Sequence, residues 1–144
     1  MLIHTYARTY IIDTSTSTGW TPLIFMVTRN HIEGVNRLIQ AGADINKAED
    51  DGWTPLMMAS ELGDIDIATI LLDAGADVFQ QTFTGRTALA CAEAGKHTAL
   101  ANLLQKAIAY RMNVGKNSRA DRNNNSRNKV LLRRTNQITS FKAL

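Results

Sequence analysis

The residues of this 144-residue chain whose types could do chemistry are three histidines, one cysteine and the run Glu49-Asp50-Asp51. A metal centre would need His, Cys and carboxylate groups at ligand spacing. A nucleophilic site would need the thiol beside a base, and acid–base work a carboxylate in an apolar setting. None of these demands is met. His31 and His97 hold the same place in an internal repeat, with no Cys or carboxylate at metal spacing, and His4 lies outside it. Cys91 is the counterpart of Phe25 and Met58, which reads as a packing position. The three carboxylates fall in a polar turn, where burial and a raised pKa are hard to arrange. No phosphate loop, triad motif or nucleotide fingerprint occurs. The expectation is therefore no catalytic residue, no metal, no cofactor and no small-molecule substrate.

The elements that must position these residues are marked by repetition. Gly-Trp-Thr-Pro-Leu opens at Gly19 and again at Gly52, Ala-Gly-Ala-Asp follows at Ala41 and Ala74, and a third opening stands at Gly85-Arg86-Thr87-Ala88-Leu89. The period is 33 residues, the mark of stacked units that share one core. Thr21 and Thr54 stand where a helix N-cap is wanted, with Pro22 and Pro55 at the first helical position, where the missing N–H costs nothing. Leu23, Met26 and Val27, then Leu56, Ala59 and Ser60, give each first helix one buried stripe. Ile32, Val35, Leu38 and Ile39, then Ile65, Ala68, Leu71 and Leu72, do the same for each second helix and are expected in the core. Gly42 and Gly75 end the second helix with positive φ. The polar stretch Asn46 to Asp51, closing at Gly52, reads as a protruding finger.

This pattern resembles the ankyrin repeat, with its Gly-x-Thr-Pro-Leu start, short helix, Gly-His, second helix ending in Leu-Leu, and Gly-Ala-Asp. The resemblance implies an all-α, ankyrin-type solenoid of about three helix-turn-helix repeats with protruding β-turn fingers, at 19–51, 52–84 and a degenerate 85–112. It also implies that the His at 31 and 97 links helices. The chain departs from the pattern where Ile24, Met57 and Ala90 replace a His that often ties adjacent units, a loss expected to lower stability. Asn30 stands for the Gly before His31, Gly34 for an apolar residue, and the third unit lacks both Pro and the closing Gly-Ala-Asp.

Aligned one period back, Ile12 falls on Ile45 and Asp13 on Asn46, so 11–18 reads as the finger of an incomplete upstream unit within an N-terminal segment, 1–18. Residues 2–10 fit two readings. One is a helix whose Leu2, Ile3, Tyr6 and Tyr10 form an apolar stripe that covers the edge of the first full unit; the other is an extended start. At the far end, 99–110 reads as a helix, and 113–144 as a basic, Asn/Arg-rich disordered tail. Charge divides the same way. Residues 1–110 hold 7 Lys and Arg against 12 Asp and Glu, net −5, whereas 111–144 hold 9 against 1, net +8. A single cysteine excludes an internal disulfide, and no stretch approaches the ~18–20 apolar residues that cross a bilayer. The expected setting is cytoplasmic, with the nucleus or export into a host cell compatible with the sequence.

With chemistry set aside, the resemblance implies a non-catalytic protein–protein interaction module that binds through its concave groove and fingers. Carried onto this chain residue by residue, the contact positions are Trp20, Arg29, Asp50, Asp51, Trp53, Glu61, Leu62, Phe83 and Arg86. Trp20 and Trp53 either anchor a partner or stack along the finger ladder and shield each other. The acidic finger favours a basic patch on the target. Two further readings stand beside this one: attachment of the basic tail to nucleic acid or an anionic membrane, and a chain that forms part of a larger ankyrin array.

Overall fold

The computed structural model describes residues 12–116. Helices α1 (Pro22–Thr28) and α2 (Ile32–Gln40), α3 (Pro55–Leu62) and α4 (Ile65–Asp73), and α5 (Ala88–Ala94) follow in order, and α6 spans 98–116. Within 12–108, α1 packs on α3 and α3 on α5, while α2 packs on α4, so like helices lie on like helices.

Each first helix starts where the sequence places it. The Thr21 hydroxyl accepts from the Ile24 N–H at 3.2 Å, Thr54 from Met57 at 3.3 Å and Thr87 from Ala90 at 3.2 Å. Each such cap is worth about 1 kcal/mol. The turn into the second helix needs a left-handed residue, and all three units have one at the same place: Asn30 at φ 52°, Gly63 at φ 74° and Lys96 at φ 60°. Asn tolerates this region, so the missing Gly at 30 leaves the turn intact. Lys96 is held there at a cost in backbone energy.

One apolar cluster runs through the units. Leu71 and Leu104 are fully buried in it and Leu38 packs against it. Ile24 and Met57, where the family carries His, are buried to 0% and 1% exposure, so apolar packing takes the place of the polar tie. One expectation needs correction. Ile32 and Ile65 are each 40% exposed, because they sit in the first turn of their helix, at the rim and outside the layer. Gly34, standing where Ile67 and Leu100 are buried in the next units, leaves room that Met26 fills: a Cβ on Gly34 would lie 2.6 Å from the Met26 sulfur.

The helix predicted over 99–110 runs over 98–116, past the predicted tail boundary at 113. Gly42 and Gly75 stop α2 and α4 at φ 90° and 98°. Ile108 occupies the equivalent place in the third unit, so nothing ends the helix there and propagation continues. The rest of the predicted tail, 117–144, and the N-terminal cover, 1–11, lie outside the described residues.

Candidate functional site

The fingers are three copies of one hydrogen-bonded loop. The backbone N–H groups of Thr16, Glu49 and Thr82 donate to the carbonyls of Trp20, Trp53 and Arg86, and those of Gly19, Gly52 and Gly85 close the tight turn. The side chain at the first position then clamps the loop. Thr16 Oγ1 accepts from the Trp20 N–H at 3.1 Å, Glu49 Oε1 from Trp53 at 3.0 Å and Thr82 Oγ1 from Arg86 at 3.1 Å. Neighbouring fingers are joined by Asp50 N–H to the Thr18 carbonyl at 3.3 Å and Phe83 N–H to the Asp51 carbonyl at 3.0 Å. Glu49 is thereby a structural clamp, also accepting from the Asp51 N–H at 3.0 Å, while Asp50 and Asp51 keep exposed side chains.

The finger repeat extends one unit upstream. Asp13 Oδ1 accepts from the Asp44 N–H at 2.9 Å, as Asn46 Oδ1 accepts from Asp77 at 2.8 Å one period later. Lys47 Nζ donates to the Asp13 carbonyl, and Gln80 Nε2 repeats this on the Asn46 carbonyl.

Three of the sequence-selected residues come together. The Arg86 guanidinium lies over the Trp53 ring, 5.3 Å from its centroid, and its Nη2 pairs with Glu61 Oε2 at 3.1 Å. Trp53 is half-buried beneath this pair and packs on the core, so it is a covered surface and not a free indole. Leu62 at the end of α3 is 54% exposed, and Phe83 on the third finger is 82% exposed. Trp20 and Arg29 belong to a different group. Trp20 and Phe25 line an open cleft of about 540 Å³ between α1 and the first finger. The Arg29 guanidinium stands 4.9 Å from the Phe25 ring centroid. Phe25 was absent from the sequence-selected set, although its spacing from Arg29, one helical turn on, is the signal for such a stack.

The groups considered for chemistry hold structural posts. His31 Nδ1 accepts from the Gly34 N–H at 2.8 Å and caps α2. His97 Nε2 lies 3.1 Å from the Glu61 carbonyl and ties the third unit to the second. Cys91 is fully buried; burial pushes its thiol up from the ordinary range, with Glu61 adding to the shift and Arg86 opposing it. A protonated, inaccessible thiol is a poor nucleophile. Among the described residues no three His, Cys, Asp or Glu side chains stand close enough to hold a metal ion, and no helix is long and apolar enough to cross a membrane.

A family model of three ankyrin repeats matches residues 2–82, more than half of the chain. No curated protein matches it.

Proposed function

Because this chain belongs to the ankyrin repeat family, whose repeats are generally non-catalytic protein–protein interaction modules, we propose that it binds a protein partner through the groove formed by its fingers and first helices. The contact surface comprises Asp50, Asp51, Trp53, Glu61, Leu62, Phe83 and Arg86, with Trp20 and Arg29 at its upstream end. The observation that carries this reading is the exposure of Phe83 and Leu62, at 82% and 54%, on the third finger and at the end of α3. Apolar side chains held open on a rigid frame are the usual anchors of an interface. The backbone bond from Phe83 to the neighbouring finger, and the helix that carries Leu62, hold these anchors in place before binding, which lowers the ordering cost.

Exposed Asp50 and Asp51, on an N-terminal part with net charge −5, suit a partner with a basic rim. A single, buried cysteine fits a reducing cytoplasmic setting. The test replaces Phe83 and Leu62 by Ala in pull-downs from cell lysate. Loss of the captured partners with an unchanged circular dichroism spectrum is expected. Retention of every partner by the folded double variant overturns the choice of surface.

A second reading rests on charge alone: the +8 carried by 111–144 suits electrostatic attachment to nucleic acid or an anionic membrane. Its signature is binding that falls steeply as salt rises, and a flat salt response excludes it.

A further inference from the structure

The chain's own arginines cover two of its aromatic rings. The Arg29 guanidinium stands 4.9 Å from the Phe25 ring centroid, and that of Arg86 stands 5.3 Å from the Trp53 centroid. In the second case a carboxylate completes the arrangement, with Glu61 Oε2 pairing with Arg86 Nη2 at 3.1 Å. Ring, guanidinium and carboxylate suit one another because the planar cation stacks on the ring face while its N–H groups reach outward to the anion.

Fingers two and three carry the ring and the carboxylates of such a trio without its cation. Phe83 is 82% exposed, and among the described residues the rings that lie under a guanidinium are those of Phe25 and Trp53. The Phe83 N–H donates to the Asp51 carbonyl at 3.0 Å, and a Cβ on Gly52 would lie 3.1 Å from the Phe83 nitrogen. The two fingers therefore abut where Asp51 and Phe83 emerge. Asp50 holds the place on the second finger that Phe83 holds on the third, and both aspartates are exposed. Ion pairs among the described residues join Arg37 to Glu33 and Arg86 to Glu61, so neither Asp50 nor Asp51 has a cation there. The basic side chains near them in sequence are committed elsewhere: Arg86 to Glu61 and Trp53, and Lys47 to the Asp13 carbonyl.

We propose that the Phe83 ring and the Asp51 carboxylate receive an arginine side chain of the protein partner, with Asp50 adding to the attraction. This inference rests on the reading of the fingers as the partner surface and names the side chain that they select. The guanidinium stacks on Phe83 and turns its N–H groups to Asp51, as Arg86 does between Trp53 and Glu61. Its aliphatic stem covers ring surface that is otherwise left in water. Lysine fits less well, since an ammonium has no plane to stack and holds its water more strongly. A neutral apolar side chain would cover the ring and leave the carboxylate unanswered.

The probe is the peptide acetyl-Ser-Gly-Leu-Arg-Leu-Gly-Ser-amide, titrated to millimolar concentration into the full chain and followed by backbone amide NMR. Saturable shifts at the Asp51 and Phe83 amides are expected. Lys in place of Arg is expected to weaken binding about threefold. Citrulline, which keeps the shape and loses the charge, is expected to weaken it about tenfold. Phe83→Ala and Asp51→Asn are each expected to weaken it about three- to fivefold, and both variants keep the fold because the replaced side chains are exposed. The proposal is overturned by absence of a saturable shift, by equal binding of the arginine and citrulline peptides, or by binding that survives both variants. Those results leave the broader surface standing, since its own test is capture of lysate partners by the Phe83 and Leu62 variant. Shifts at the same two amides that grow with protein concentration before peptide is added assign the pair to a second copy and overturn the proposal. So does a strengthening of peptide binding when Arg119, Arg122, Arg127, Arg133 and Arg134 are replaced by Gln, which assigns it to the chain's own arginines.

Discussion

The guanidinium of Arg86 lies 5.3 Å from the centroid of the Trp53 ring, and the two residues hold the same position in successive units. Repetition brings equivalent positions of adjacent layers together, so a change of residue type between units becomes a contact. Here a cation covers the Trp53 indole and is held there by Glu61.

Replacing Arg86 by Ala uncovers Trp53. Tryptophan emission is expected to move to the red and acrylamide quenching to rise. The accompanying loss of stability is at most about 1 kcal/mol, because both charged side chains of the ion pair are more than a third exposed and solvent screens them. Arg86→Lys restores charge but not the planar stack, and its emission is expected to fall between the two.

The pair Met26 and Gly34 offers a test by exchange. The corresponding residues are Ala59 and Ile67 in the second unit, and Ala92 and Leu100 in the third. Gly34→Ile alone is expected to destabilise, since its side chain meets the Met26 sulfur. Together with Met26→Ala it recreates the later units. A double-mutant cycle by urea unfolding should give a favourable coupling of about 1–3 kcal/mol, and additive effects would show that Met26 does not fill the space.

At Gly63 a Cβ meets two obstacles, a φ of 74° and the ring of His97 packed against it. Gly63→Ala is expected to cost about 2–3 kcal/mol in thermal or urea unfolding. His97→Ala removes the ring and its bond to the Glu61 carbonyl, so in that background the further cost of Gly63→Ala shrinks to the backbone share.

Lys96 occupies the same left-handed turn position with a side chain that does not favour it. Lys96→Gly is expected to stabilise by about 0.5–1 kcal/mol, the relief of backbone strain less the added entropy of the unfolded glycine. Asn30→Gly should change little, since Asn already tolerates this region.

Burial holds the Cys91 thiol protonated above the pH at which a free thiol ionises. The native state then binds more protons than the unfolded one at alkaline pH, so this group favours folding up to about pH 8.5 and its contribution falls as pH rises beyond that. Comparing urea midpoints of the native chain and Cys91→Ala from pH 7 to 10 should show a steeper alkaline loss in the native chain. Thiol labelling of the folded protein is expected to be slow and to accelerate on unfolding.

What the chain declares by itself is everything local and repeated. The Thr caps, the Pro starts, the Gly stops and the finger turns are each set within a few residues by hydrogen-bond geometry or allowed φ, and all were legible in the period of 33 residues. The overrun of α6 to 116 was not read from the sequence, although Ile108 stands where Gly42 and Gly75 stop the earlier helices. What only the tertiary structure decided are contacts between layers that differ from unit to unit. Met26 entering the space at Gly34 and Arg86 covering Trp53 each depend on what the neighbouring helix or layer presents. A repeat pattern specifies where layers meet, whereas side-chain volume and charge at those meeting points settle which residues are covered and which remain open to another molecule.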